Sequence, residues 1–367
     1  MPIVALAHEL KRIKPDVYIV YIGETNGKYA EMTASNPDID EIKTVLAGKF
    51  RRYHGESWLR RVFDIQTNLL NLRDMFYFLI GTLQALVLME RLSPDAVLLK
   101  GGFVGVPTGL AAAFWRIPFV THDSDALPGL ANRIVARWAK YHATGMPADN
   151  YGYPKESIRH VGVLVSDRYQ PVSAQQQATF KKELNLPPKA KLLLVTGGSG
   201  GAGSINLAVK NILPQLMQDY EDLYVVHQVG KGKAGVYEGY LHPRLQITEL
   251  LTPMYVYTGA SDLIVARAGA NSLAEFGVQG RACIIIPNPL LTGGHQMKNV
   301  EPLEKRGAIR VVNETTLKKN PENLDGAIRS LLRSDSERQK LGKNLQSMTI
   351  PDAASKLAVV LLEVAGT

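Results

Sequence analysis

Apolar residues fall along this chain in short runs closed by glycine, proline or polar side chains, and each run is followed by a segment with helical spacing. Val17–Ile22, Ala96–Leu99, Pro118–Thr121, Leu192–Thr196, Leu223–His227, Leu263–Val265 and Cys283–Pro287 read as buried strands. Strands alternating with helices predict an α/β fold of parallel sheets covered on both faces. The proline-rich segment Asn185-Leu-Pro-Pro-Lys-Ala190 precedes a second strand–helix series and marks a boundary. The expected organisation is two doubly wound domains facing a cleft, residues 1–163 and 164–350, with a terminal helix over 351–367 packing back on the first. The opening is irregular. A helical segment starts at Pro2, where a doubly wound domain would open with a strand.

The longest apolar run is Met75–Met89, 15 residues flanked by Arg73, Asp74, Glu90 and Arg91. A spanning helix needs about 20 apolar residues, so this run reads as a core helix. The alternative is a surface helix that dips into lipid.

Composition narrows the classes. With 46% hydrophobic and 21% charged residues, the 367-residue chain is globular. One cysteine, Cys283, excludes a disulfide framework and a multi-thiolate metal site, and its place in a strand predicts an inert thiol. The net charge of +8 is spread over both halves, which excludes a basic nucleic-acid tail and suits an anionic small substrate or an anionic membrane surface.

Five glycine- or carboxylate-bearing loops follow predicted strands. Val195-Thr-Gly-Gly-Ser-Gly-Gly-Ala-Gly-Ser204 leads into a helix and forms an anion cradle from free N–H groups, without the Gly-Lys-Ser/Thr of a P-loop. Arg267 and Glu275 lie in Ala266-Arg-Ala-Gly-Ala-Asn-Ser-Leu-Ala-Glu-Phe276, where a carboxylate can accept ribose hydroxyls or simply pair on a solvated helix face. His295 and Gln296 begin the helix after Pro287-Asn-Pro-Leu-Leu-Thr-Gly-Gly294 and can hold sugar hydroxyls or serve as an ordinary cap. Lys100-Gly-Gly-Phe-Val-Gly-Val-Pro107 is the fourth loop. The fifth, Thr121-His-Asp-Ser-Asp125, offers Asp123 and Asp125 as a general base, as hydroxyl contacts or as helix caps. The basic-aromatic stretch Lys49–His54, with Trp58, Arg60 and Arg61, reads as a phosphate or headgroup contact or as a solvated loop.

In order and spacing, these fragments resemble the MurG family over nearly the whole chain. They are Gly101–Pro107, His122-Asp-Ser-Asp-Ala-Leu-Pro-Gly-Leu-Ala-Asn-Arg133, Thr196–Ala202, His227-Gln-Val-Gly-Lys-Gly232, Arg267–Glu275 and His295–Ala308. The resemblance implies the GT-B fold, two Rossmann-like domains, and an inverting, metal-independent transferase with no cofactor. It implies transfer of N-acetylglucosamine (GlcNAc) from UDP-GlcNAc to the undecaprenyl-linked acceptor lipid I, giving lipid II, at the cytoplasmic face of the cell membrane. By matching position, Ser199, Gly200, Gly201 and Ala202 would contact the diphosphate. Leu251 would offer its backbone to uracil, with Met254 nearby. Arg267, Ala270 and Asn271 would lie near the nucleotide, Glu275 would hold the ribose, and His295 and Gln296 would sit beside the sugar. Asp125 would bind substrate, and Asp123 and His122 are the catalytic candidates.

Three departures from the family pattern stand out. The family opens with a strand and a Gly-Gly-Thr-Gly-Gly-His loop ending shortly before a proline that aligns with Pro2. The resemblance therefore implies a missing first strand and glycine loop, and a true start upstream. His-Glu-Gln-Asn of the family reads His122-Asp-Ser-Asp125, and Gly-Asn-Pro-Val-Arg reads Gly162-Val-Leu-Val-Ser166, with Arg168 two residues on. A UDP-GlcNAc 2-epimerase and a non-catalytic UDP-sugar-binding protein remain open as alternatives.

Overall fold

The computed structural model describes residues 2–27, 33, 36–49, 64–289, 294–320 and 322–366. The chain divides into two compact units: residues 1–166 together with 352–367, and residues 167–351.

Unit 2 is built on a six-stranded sheet, β7 (Lys191–Thr196), β8 (Leu223–Gln228), β9 (Leu245–Thr248), β10 (Leu263–Ala266), β11 (Cys283–Ile285) and β12 (Arg310–Val311), in the order β12-β11-β10-β7-β8-β9. Every pair is parallel. Val195 of β7 sits beside His227 of β8 and Val265 of β10. Alternation along β7 fills both faces. Leu193 and Val195 join one core with Ile205, Val209, Leu213 and Leu216 of α6 (Gly203–Asp219), while Leu192 and Leu194 join a second with Leu273 and Phe276 of α8 (Ala270–Val278). This two-sided burial explains the continuous Leu-Leu-Leu-Val run of β7. The remaining helices are α5 (Ala174–Glu183), α7 (Met254–Ala260), α9 (His295–Lys305), α10 (Glu314–Lys319), α11 (Glu322–Arg333) and α12 (Asp335–Ser347).

Unit 1 carries a four-stranded parallel sheet, β3 (Val97–Leu99), β4 (Phe119–Asp123), β5 (Tyr141–Thr144) and β6 (Ile158–His160), and a parallel pair, β1 (Val20–Glu24) with β2 (Glu41–Val45). The predicted strand Val17–Ile22 thus starts three residues later, after α1 (Pro2–Ile13). Helices α3 (Gly105–Phe114) and α4 (Leu130–Val135) connect the larger sheet. The last helix, α13 (Ala353–Ala365), packs against α1 and β4, and the Tyr141 hydroxyl donates to Glu363 Oε1 at 3.0 Å.

The apolar run at 75–89 is not a core helix. It lies in α2 (Ile65–Leu92), 28 residues long, begun by Asp64, whose Oδ1 accepts from Thr67 N, and ended by left-handed Ser93. Counting a continuous apolar run alone misses its first turns, which mix leucines with polar, helix-compatible residues. One edge is buried: Ala85 and Met89 join Phe119, Val97 and Leu99, and a Cβ on Gly81 would meet the Leu46 carbonyl oxygen at 1.8 Å. The rest faces outward, with Leu83 64% and Phe76 54% exposed. Thr67–Leu92 is also long and apolar enough, by length and composition, to cross a membrane. Of the basic-aromatic stretch, Lys49 is described, with Nζ 5.8 Å from the Phe103 ring centre. Trp58, Arg60 and Arg61 lie outside the described residues.

Burial sets two contrasting expectations for stability. Leu213→Ala, in a fully enclosed site, costs about 2–5 kcal/mol in urea denaturation. Leu83→Ser changes stability by about 0.5 kcal/mol or less. A loss of several kcal/mol from Leu83→Ser would show that this face is covered.

Candidate functional site

In unit 2 the chain leaves β7 and β10, neighbouring strands, toward opposite sides of the sheet, the switch point at which open α/β sheets hold ligands. A cavity of about 800 Å³ lies there. Its walls are the loops after β7 and β10 and the starts of α6, α9 and α10.

The β7 loop is shaped by its glycines. Gly201 has φ +64°, and a Cβ there would meet the Val229 carbonyl oxygen at 1.9 Å, so nothing larger fits this backbone. Gln228 locks the loop from beneath, donating to Thr196 Oγ1 at 3.2 Å and to the Gly198 carbonyl at 3.0 Å. The same amide accepts from Leu251 N at 2.8 Å, tying the Leu251 backbone to the glycine loop. Lys233 reaches over the loop to the Gly200 carbonyl at 2.7 Å. The uncapped N–H groups that open α6 give this edge an anion-binding character. Beneath it, His227 Nε2 donates to Asn206 Oδ1 at 3.1 Å and its Nδ1 accepts from the Tyr237 hydroxyl at 2.8 Å. Burial lowers this imidazole to about 3, so it stays neutral.

Of the residues singled out from the sequence, Gly201, Ala202, Arg267 and Gln296 line the cavity. Ser199 and Gly200 form the exposed tip of the same loop. Leu251 is buried and Met254 opens α7. Ala270 and Asn271 form the first turn of α8, and His295 opens α9 beside Gln296, whose Oε1 accepts from Asn288 N at 2.8 Å. Glu275 lies further along α8, hydrogen-bonded to the Tyr169 hydroxyl, and burial pushes its carboxyl up to about 7. Arg168 is exposed.

His122, Asp123 and Asp125 belong to unit 1. His122 lies near the end of β4 inside the sheet, with Nε2 donating to the Gly162 carbonyl at 3.1 Å and Nδ1 facing Lys100 Nζ at 3.1 Å. Burial and the neighbouring ammonium hold it neutral, well below the usual imidazole range. Asp123 Oδ1 accepts from Gly129 N and Asn132 Nδ2, both at 2.9 Å, and Oδ2 accepts from the Tyr153 hydroxyl at 2.9 Å. Desolvation raises its pKa against these bonds. Asp125 is half-buried. Lys100 also donates to Ser124 Oγ at 2.7 Å, and burial lowers its ammonium to about 8. Among the described residues, no cluster of three His, Cys, Asp or Glu side chains has the makings of a metal site.

Two family models match this chain: the glycosyltransferase family 28 N-terminal domain over residues 1–144 and the C-terminal domain over 192–357. A Bacillus pumilus protein is 30% identical over all of this chain and 96% of its own length, and one from Natranaerobius thermophilus is 28% identical over 98% and 95%. Both are named UDP-N-acetylglucosamine--N-acetylmuramyl-(pentapeptide) pyrophosphoryl-undecaprenol N-acetylglucosamine transferase. The chain belongs to the MurG family. The crystal structure of Acinetobacter baumannii MurG superposes with a TM-score of 0.71 at 21% identity, covering 99% of this chain and 95% of that one. A UDP-GlcNAc 2-epimerase from Neisseria meningitidis reaches 0.64 at 13%, covering 99% and 96%. At these identities the structural likenesses establish the fold, which is GT-B.

Four residues that hold the candidate groups escape sequence reasoning, Lys100 and Tyr153 in unit 1 and Gln228 and Glu314 in unit 2. Gln228 and Lys100 sit in motifs whose glycines drew attention first. Tyr153 reaches Asp123 from 30 residues away. Glu314, which lines the cavity, follows Asn313 in an ordinary helix-capping pattern that gives no sign of it.

The raised Glu275 carboxyl predicts a pH dependence. The folded chain binds this proton more tightly than the unfolded chain, so its contribution to stability is full below about 4.5 and is lost as pH rises through about 7. Glu275→Gln lacks that titration. Thermal melts compared across this window show wild type losing ground to the variant as pH rises. Parallel curves refute the shift.

Proposed function

We propose that this chain is an inverting hexosyltransferase that moves GlcNAc from UDP-GlcNAc to lipid I, forming lipid II. The observation that carries the reading is the cavity at the β7/β10 switch point, with its glycine loop, helix N-terminus, Arg267 and Gln296, in a chain matched end to end by transferases of that name. Unit 2 holds the donor. The N-termini of α6 and α8 face the diphosphate with Ser199, Gly200, Gly201 and Ala202, and Ala270 and Asn271 supply the first turn of α8. Leu251 presents its backbone to uracil beside Met254. Glu275 accepts the ribose hydroxyls, and its ionised form is the better acceptor. His295 and Gln296 hold the sugar.

Unit 1 receives the lipid-linked acceptor. Its hydroxyl oxygen attacks the anomeric carbon as the bond to UDP breaks, the proton passes to a base, and the helix N-termini stabilise the departing diphosphate. Asp123 is the better base. Desolvation strengthens it as a proton acceptor, and Oδ2, which accepts one bond from Tyr153, keeps a second lone pair, whereas each nitrogen of His122 is committed, so His122 positions Lys100 and the loop of Ser124 and Asp125. The chain works as a peripheral protein on the cytoplasmic face of an anionic membrane. The exposed face of α2 is continued by Phe114 and Trp115, whose Nε1 donates to the Leu86 carbonyl at 2.9 Å, and Arg73, Arg91 and Arg116 flank this apolar surface in sequence.

Labelled UDP-GlcNAc with a lipid I analogue tests the transfer, and donor binding without product would sink the acceptor assignment. In that assay Glu275→Ala raises the donor KM about tenfold with a smaller effect on kcat. Asp123→Asn lowers kcat about a hundredfold or more at unchanged KM, and equal turnover removes Asp123 as base. Flotation with phosphatidylglycerol vesicles carries the chain upward, and Phe76→Glu with Leu83→Glu abolishes it. Flotation unchanged by that pair of substitutions would place the lipid contact elsewhere.

A further inference from the structure

Three segments of unit 2 bring polar side chains to one point of the cavity wall. Ser204 comes from the first turn of α6, Arg267 from the loop after β10 and Glu314 from the start of α10. Arg267 Nη2 donates to Glu314 Oε1 at 2.6 Å and to Ser204 Oγ at 2.9 Å, Nη1 donates to the Ile286 carbonyl at 3.1 Å, and the Ser204 hydroxyl donates to Glu314. Glu314 is 6% exposed. Among the described residues lining the cavity, Arg267 is the one basic side chain and Glu314 the one acidic side chain. A carboxylate here opposes the binding of an anion, yet it is enclosed and bonded to the one basic side chain among the described residues lining the cavity.

We infer that Glu314, with Ser204, is a positioning residue for Arg267: it fixes the guanidinium ahead of ligand binding and offsets its charge, which limits how tightly the pocket retains a nucleoside diphosphate after transfer. This rests on the donor reading above. The Ile286 carbonyl, Ser204 and Glu314 take one proton of Nη1 and both of Nη2, and the remaining Arg267 donors, at Nε and Nη1, are left for a phosphate oxygen. Fixing them in advance removes the cost of ordering a long side chain on binding. Offsetting the charge keeps product from becoming a trap, because binding that is equal for substrate and product does nothing for turnover.

The test is inhibition by UDP alone, with donor KM and kcat measured in parallel. Glu314→Gln keeps the shape and removes the charge. UDP then inhibits about three- to tenfold more tightly and kcat falls, and the gain shrinks as salt is raised. In an Arg267→Gln background the same change has no such effect, since the charge it unmasks is gone. Ser204→Ala keeps both charges and loosens the clamp, raising the donor KM at a nearly unchanged melting temperature; it serves if Glu314→Gln does not fold. An equal UDP affinity in a folded Glu314→Gln, or an unchanged KM in Ser204→Ala, overturns the inference and leaves Glu314 a structural ion pair. No UDP binding by the wild-type chain overturns the donor reading itself.

Discussion

Parallel pairing is the constraint on which this molecule depends. When β7 lies parallel to both β8 and β10, every connection must return across a face of the sheet, and every strand ends at the same edge. Helices are thereby forced onto both faces, and β7 is buried all round. Helix N-termini also collect along one edge, and between β7 and β10, where the windings diverge, no helix among the described residues fills the space between the loops. The glycine loop and Arg267 gain their position from that geometry.

The strands buried on both faces were legible because they are uninterrupted apolar runs, as in Leu192–Val195, Leu263–Val265 and Cys283–Ile285. Edge and polar strands were not. β2 (Glu-Ile-Lys-Thr-Val), β5 (Tyr-His-Ala-Thr) and β9 (Leu-Gln-Ile-Thr) carry side chains that a loop could equally carry, and their strand character comes from the neighbour they pair with. The α2 helix shows the opposite failure. Its apolar run was visible, but hydrophobicity does not say which face is covered, and here one edge meets the sheet while the rest is exposed.

The candidate site divides along the same line. Glycine loops after strands announce themselves because few other sequences adopt that backbone. The side chains that hold those loops do not. Gln228, Tyr153 and Glu314 act on partners far away in sequence, across distances that no local spacing rule spans. The two units also use burial in opposite ways. In unit 2 the His227–Asn206–Tyr237 chain is wholly internal and sets the shape of the floor. In unit 1 enclosure reaches the candidate chemistry, weakening the Lys100 ammonium and the Asp123 carboxylate as ions.

The docking of α13 on α1 has a consequence for biosynthesis. Unit 1 is made of two pieces of chain separated by the whole of unit 2. A ribosome exposes all of residues 167–351 before α13 emerges, so the second unit has every strand of its sheet while the first still lacks a helix that covers α1 and β4. The unit synthesised first is therefore the last to be completed.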